Sequence, residues 1–266
     1  MRPARPFPPL RLSRPLRLLI CTVCAVAALT VSTSGQTMNR LKGRVVLENG
    51  DPIADVDVHM EALYGFNAGD YVGQRTYTAK TNAKGEWSVV GLKAGIWVFD
   101  VTAPGRLTAA VALPINLVTS IGSGASALML PWQLVLKPGA PIDGDAGRML
   151  TDASAALGAH DADKVRMLMS SVPSRATLEY LNGAGLVCLA AHEAGLASPL
   201  FQQAIQKDPS SFQAVLGFAS SSLMRRDFDS ASRAFAAARD RTKDKDEQKY
   251  LSAAIGDLAK IMVPTK

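Results

Sequence analysis

The residues best suited to chemistry are three histidines, His59, His160 and His192, and one cysteine outside the N-terminal segment, Cys188. A catalytic zinc needs three protein ligands and an open position, two of them on a short spacing such as His-x-x-Glu. Three positions beyond the histidines stand Ala62, Asp163 and Gly195, so no glutamate completes that pattern. His160 and Asp163 have the spacing but fall where Asp161 to Lys164 reads as a helix start. Ser123 and Ser126 lie in Ile121-Gly122-Ser123-Gly124-Ala125-Ser126. This stretch lacks the Gly-x-Ser-x-Gly elbow of a nucleophilic serine and reads as linker. The sequence therefore yields no catalytic residue, metal ligand or cofactor site, and the expectation is a protein that is not an enzyme.

The elements that would carry such residues begin after an unusual N-terminus. Residues 1–35 hold Arg2, Arg5, Arg11, Arg14 and Arg17, no acidic residue, and an apolar run from Leu18 to Val31. That is the layout of a secretory signal peptide, with a run short of the ~20 residues that a membrane span needs. The expectation is an exported protein, periplasmic or secreted, anchored in a membrane only if the segment is retained. The formal charge of +6 comes from 29 basic and 23 acidic residues. Loss of the five leader arginines leaves 24 against 23, a net +1, which offers no electrostatic footprint for nucleic acid. Cys21 and Cys24 would leave with the leader, so Cys188 has no intramolecular partner and reads as a small buried residue.

The pattern changes near residue 140. Before it, short β-branched and aromatic runs alternate at Leu41 to Leu47, Val56 to Leu63, Arg75 to Thr81, Glu86 to Val90, Ile96 to Thr102, Thr108 to Leu113 and Met129 to Leu136. Turn chemistries such as Glu48-Asn49-Gly50-Asp51-Pro52 and Asn82-Ala83-Lys84-Gly85 separate them. Seven strands at this spacing predict a small antiparallel β-sandwich. Gly43-Arg44-Val45-Val46, Gly50-Asp51-Pro52, Thr81 to Trp87, Gly91-Leu92, Gly95-Ile96-Trp97 and Pro104-Gly105 follow in order. In this the segment resembles the carboxypeptidase regulatory-like domain, a transthyretin-like β-sandwich with a carbohydrate-binding-like fold. The resemblance covers residues 41 to 106 and implies an accessory interaction module, not a peptidase. Alternation turns Trp87 and Val89 to one face, and Trp97, Phe99 and Val101 to one face of the next strand. Both tryptophans are therefore expected inside.

After Asp143 the periodicity shifts toward 3.6 and the second region reads as helical, with about seven helices. Ala197, Phe201 and Ala204 recur 34 residues later as Ala231, Phe235 and Ala238. This resembles the tetratricopeptide repeat, whose unit pairs two antiparallel helices around an aromatic wedge. Upstream, Asp161 to Val165 matches Asp227 to Ala231 at a spacing of 66, so residues 145–172 read as an irregular leading pair, and Lys245 to Met262 as a capping helix. The expected organisation is a signal peptide over 1–35, a β-sandwich over 36–138 and a helical repeat region over 139–266.

Two surfaces are then candidates for contact. Tyr64, Phe66 and Tyr71 stand among Gly65, Gly69 and Gly73, where alternation fails, and could meet a glycan or a partner. The inner helices of a repeat array line a concave groove for a peptide or protein tail, with Glu179, Asn182 and Leu189, then Gln213, Leu216 and Ser220, as the outward positions. The functional expectation is a non-enzymatic interaction or scaffold protein of the cell envelope. Its alternative is a carbohydrate-binding or cell-wall-binding module using Tyr64 to Tyr71. If both tryptophans face inward, Trp87→Ala and Trp97→Ala should each cost roughly 3–5 kcal/mol in denaturant unfolding, whereas an outward tryptophan would lose almost nothing.

Overall fold

The computed structural model describes residues 40–66, 75–116, 127–130, 133–137, 144–173 and 176–262. Among the described residues eight strands come first: β1 (Arg40–Leu47), β2 (Asp57–Gly65), β3 (Thr76–Lys80), β4 (Glu86–Val90), β5 (Gly95–Val101), β6 (Ala109–Ile115), β7 (Ala127–Met129) and β8 (Leu134–Leu136). Seven helices follow among the described residues: α1 (Gly144–Gly158), α2 (Ala162–Met169), α3 (Leu178–Ala190), α4 (Ala194–Lys207), α5 (Phe212–Met224), α6 (Phe228–Arg239) and α7 (Lys245–Met262). The described residues all belong to one compact unit. None of the helices described is long and apolar enough to cross a membrane.

The strands make two four-stranded sheets. One has the order β4-β1-β7, with β8 also on β1; the other has the order β3-β2-β5-β6. Two features depart from the sequence expectation. The β region is not wholly antiparallel, because β7 and β8 both run parallel to β1. The chain reaches β1 from β6, a strand of the other sheet, so no tight hairpin forces the antiparallel sense. The run Met129 to Leu136 is also two short strands, β7 ending at Met129 and β8 beginning at Leu134.

The interior between the sheets is aromatic. Trp87 and Trp97 are both buried, and the Trp87 ring lies 5.9 Å from that of Phe99 on the opposite sheet. Gly43 pairs with Trp87 across β1 and β4, and a Cβ on Gly43 would come within 2.4 Å of the indole. The glycine thus makes the seat for the ring. The Trp97 indole N–H donates to the carbonyl of Lys93 at 2.9 Å.

The helices pair in sequence. Phe201 of α4 is fully buried, wedged between Gly185 of α3 and Gly217 of α5, where a Cβ would stand 2.5 and 2.3 Å from its ring. Asp161, Thr177, Ser211 and Asp227 each accept a backbone N–H three residues on, capping α2, α3, α5 and α6. Cys188 is buried within α3, and burial, then the Glu193 carboxylate, pushes its thiol up to about 12. That removes the thiolate needed for reactivity.

The helices also close the second sheet. All seven residues of β6 are buried, and α3, α5 and α7 pack against this strand. On its outer edge the Ala112 N–H donates to Ser220 Oγ, and the same hydroxyl donates to the Ala112 carbonyl, both at 3.1 Å. The Tyr250 hydroxyl donates to the Pro114 carbonyl at 2.9 Å. Ser220→Ala should therefore strand two buried backbone groups and cost about 3 kcal/mol, read as a lowered denaturant midpoint at unchanged slope. A loss under about 0.5 kcal/mol would mean that the edge is not sealed there.

Candidate functional site

The connections between paired helices share one backbone device. His160 after α1, His192 after α3 and Arg226 after α5 all adopt positive φ, at 58°, 62° and 59°. Each turn closes twice in the same way. The N–H of His160, His192 and Arg226 reaches the carbonyl of Leu157, Leu189 and Leu223, and the next N–H reaches that of Ala156, Cys188 and Ser222. Glycine is the usual residue at such a helix end, because a side chain in the left-handed region costs ~1–2 kcal/mol. Three turns carry a large basic or imidazole side chain instead. All three are aimed at the second sheet: His160 and His192 line a cleft against it, and Arg226 lies over Tyr64 of β2.

That cleft has a volume of about 1160 Å³. One wall is the outer face of β2, β3 and β5; the other is α1 with the turns after α1 and α3. His59, Glu61, Thr76, Thr78 and Asp100 come from the strands, Thr151 and Ser154 from α1, and His160 and His192 from the turns. All three histidines of the chain thus converge on one surface. The strand register arranges the sheet wall in rows: His59 stands opposite Thr78 on one side and Asp100 on the other. His59 Nδ1 lies 3.2 Å from Thr78 Oγ1, and His192 Nε2 lies 3.3 Å from Glu61 Oε2. Asp57 pairs with Lys80 at 3.1 Å farther along.

Asp100 is the electrostatically distinct group. Burial first, and then the neighbouring Glu61 carboxylate, push its carboxyl from 3.8 up to about 7. Near neutral pH it can both hold and release a proton, the property expected of a functional carboxyl in a cleft. Ser154 Oγ in the opposite wall is buried and has no hydrogen-bond partner. Among the described residues no three His, Cys, Asp or Glu side chains gather as a metal-holding set. Chemically, the cleft offers acceptors, hydroxyls and one proton-exchanging carboxyl to a polar ligand.

The residues singled out from sequence lie elsewhere. The Tyr64 hydroxyl donates to the Leu223 carbonyl. Its ring meets Phe228 edge-on at 5.8 Å and carries the Arg226 guanidinium 4.9 Å above it. Burial raises its phenol well above the usual range. Phe66 is half-buried against the main core, and Tyr71 lies outside the described residues. Asn182 and Gln213 come together, with Glu179, in a small pocket at one end of the inner helices. Leu216 and Ser220 are buried, because the middle of the helical groove is filled by the chain's own β6. The cleft residues were missed because His59, Glu61 and Asp100 read as outward strand positions and His160 and His192 as turn residues. The signal that could have found them is the recurrence of Leu157-x-x-His160-Asp161, Leu189-x-x-His192-Glu193 and Leu223-x-x-Arg226-Asp227, spaced by 32 and 34.

No protein-family model matches this chain, and no curated protein matches it. Among solved structures, it is similar to the major pilin SpaD of Corynebacterium diphtheriae, with 16% identity, 38% of this chain and 30% of the pilin covered, and a TM-score of 0.30. It is similar to hydroxyquinol 1,2-dioxygenase of Pseudomonas putida DLL-E4, with 10% identity, 38% and 56% covered, and a TM-score of 0.28. A third is the dioxygenase domain of a dioxygenase carbohydrate-binding protein fusion from Streptomyces sp. SirexAA-E, with 16% identity, 41% and 85% covered, and a TM-score of 0.28. The chain thus spans less than two thirds of the pilin and of the hydroxyquinol dioxygenase, and likenesses this low assign it no activity. They do correct one expectation. Two of these proteins are dioxygenases, and the expectation that this chain is not an enzyme is withdrawn.

The raised Asp100 carboxyl sets a pH dependence. Between about pH 4 and 7 the folded chain holds a proton that the unfolded chain has released, so this group's contribution to stability falls as pH rises and levels off above 7. Asp100→Asn should remove that slope and leave the variant more stable than the parent at pH 8, by at most about 4 kcal/mol. Denaturant titrations at pH 4 and pH 8 check this; an equal difference at both would refute it.

Proposed function

We propose that the chain is an exported interaction protein of the cell envelope and that it takes a protein partner at the histidine cleft. The observation that carries this is the cleft itself: a wide, polar, acceptor-rich surface assembled from strands, a helix and two helix turns. Polar side chains on so broad a surface suit a peptide segment with many hydrogen-bonding groups better than a compact apolar ligand. We read the strands as a transthyretin-like sandwich over 36–138 and the helices as a short tetratricopeptide-like array over 139–266. The Trp87–Phe99 contact across the sheets supports the first, and the Phe201 wedge between Gly185 and Gly217 supports the second. The basic and apolar layout of residues 1–35 supports export. Stacking of a sugar on Tyr64 is disfavoured, because it is engaged by Arg226, Phe228 and Leu223.

Site-specific crosslinking in the native host tests this reading. A photoreactive residue at Thr78 or at Ala155, on the two walls of the cleft, should capture the same protein, and one at Ser88 on the other sheet should not. No product from either cleft position, or the same product from Ser88, would overturn it.

A further inference from the structure

The two edges of the second sheet are treated differently. β6 is closed by Ser220 and Tyr250, whereas β3 stands at the other end of the order β3-β2-β5-β6. Its pairing with β2 fixes which backbone groups are left over. The Ala62 N–H donates to the Arg75 carbonyl and the Thr81 N–H to the Val56 carbonyl, both at 2.9 Å. Bonding direction alternates along an antiparallel strand, so Arg75, Tyr77, Ala79 and Thr81 bond toward β2, and Thr76, Thr78 and Lys80 turn their N–H and C=O groups away from it. Among the described residues these outward groups have no backbone partner.

Proteins guard such an edge with proline, a bulge, a covering element or a charge. β3 reads Thr-Tyr-Thr-Ala-Lys in unbroken register with β2, and no helix packs closely on it. Its one charge is held back over its own sheet: the Lys80 ammonium lies 3.1 Å from Asp57 and donates to the Asp55 carbonyl at 3.3 Å. The strand also borders the histidine cleft, which Thr76, Tyr77 and Thr78 line. Tyr77 and Ala79, on its other face, are half-buried against the main core. An added strand would set alternate residues in two surroundings, the apolar margin at Tyr77 and Ala79 and the acceptors Asp57 and Glu61 on the cleft side.

We infer, resting on the reading of the cleft as a partner's site, that a segment of that partner joins the second sheet as a further strand on β3. Its main chain bonds Thr76, Thr78 and Lys80, its apolar side chains lie beside Tyr77 and Ala79, and its donor-bearing side chains face the cleft. The occupant is an extended polypeptide of alternating apolar and polar residues, about the length of β3.

Amide-resolved hydrogen exchange on the full chain tests the edge. In the chain alone, the Thr76, Thr78 and Lys80 amides should exchange about tenfold faster, or more, than those of Tyr77 and Ala79. Equal protection would overturn the inference, because the edge is then already filled, by a second copy if the chain sediments as a dimer and by its own residues if it does not. Proline tests the occupant. Thr78→Pro removes an outward N–H and leaves the bonds to β2, while Thr78→Ala loses the same hydroxyl and keeps the N–H. With the photoreactive residue at Ala155, Thr78→Pro should cut the captured product about tenfold and Thr78→Ala at most about twofold. Thr76→Pro, at the first residue of the strand, takes its place if Thr78→Pro does not fold. Equal loss in the proline and alanine variants, or no loss with proline, overturns strand addition, while product from the parent keeps the cleft as the partner's site. No product from the parent overturns both.

Discussion

The structure depends on how the edge of the second sheet is closed. β6 is its last strand, and an open edge is a row of unmet backbone donors and acceptors that invites another strand. Here it is both covered and satisfied. Ala112 gives its N–H to Ser220 and takes back the same hydroxyl, and Tyr250 reaches the carbonyl of Pro114, a residue with no N–H to be met. A strand with the composition Ala-Ala-Val-Ala-Leu-Pro-Ile, buried on both faces, is stable only with helices in that place. The helices, for their part, use their inner apolar residues against it. The main core accordingly runs from Leu41 and Trp97 through Val111 to Phe235 and Leu258 without a break. Neither region presents a complete hydrophobic interior without the other.

The same docking explains why residues at helix turns meet the sheet. Each helix pair returns through a left-handed residue, and the three are separated by 32 and 34 positions. The 66-residue spacing between the matching turns at Asp161 and Asp227 is therefore one short step and one regular step, not a failed double repeat. Successive pairs lay His160, His192 and Arg226 along the sheet. Arg226 settles over Tyr64, and His192 Nε2 lies 3.3 Å from Glu61 Oε2, so both turns meet β2 through polar side chains as well as by packing.

Local structure was legible in the sequence wherever one residue type has one use. The alternation of Trp87 with Val89 and of Trp97 with Phe99 marked their faces, and the 34-residue recurrence of Phe201 and Phe235 marked two buried wedges. The Asp, Ser and Thr helix starts were readable for the same reason. What escaped was set by which surfaces meet. Ser220 and Leu216 hold the outward positions of an inner helix in any such array, and only the arrival of β6 buries them. The parallel sense of β7 and β8 follows from a change of sheet, for which no turn motif exists. The candidate site was the least legible part, since its walls come from segments about a hundred residues apart whose spacing encodes no shared chemistry.

The position of the cleft follows from where the helices stop. The outer face of the second sheet is divided by composition: Val98, Ala110, Ala112 and Pro114 on β5 and β6 are small or apolar, whereas Asp57, His59, Glu61, Thr76 and Thr78 on β2 and β3 are polar. Helices cover the first half closely and face the second half across a gap. Asp100 stands on the boundary, in the row shared by His59 and Ala110. It is close enough to the covered half to lose its water and close enough to Glu61 to feel a like charge, and these two effects raise its carboxyl. An apolar residue would suit the packed side of that position and an ordinary wet carboxylate the open side. The raised carboxyl there is the consequence of placing a carboxyl where the sheet passes from core to cleft.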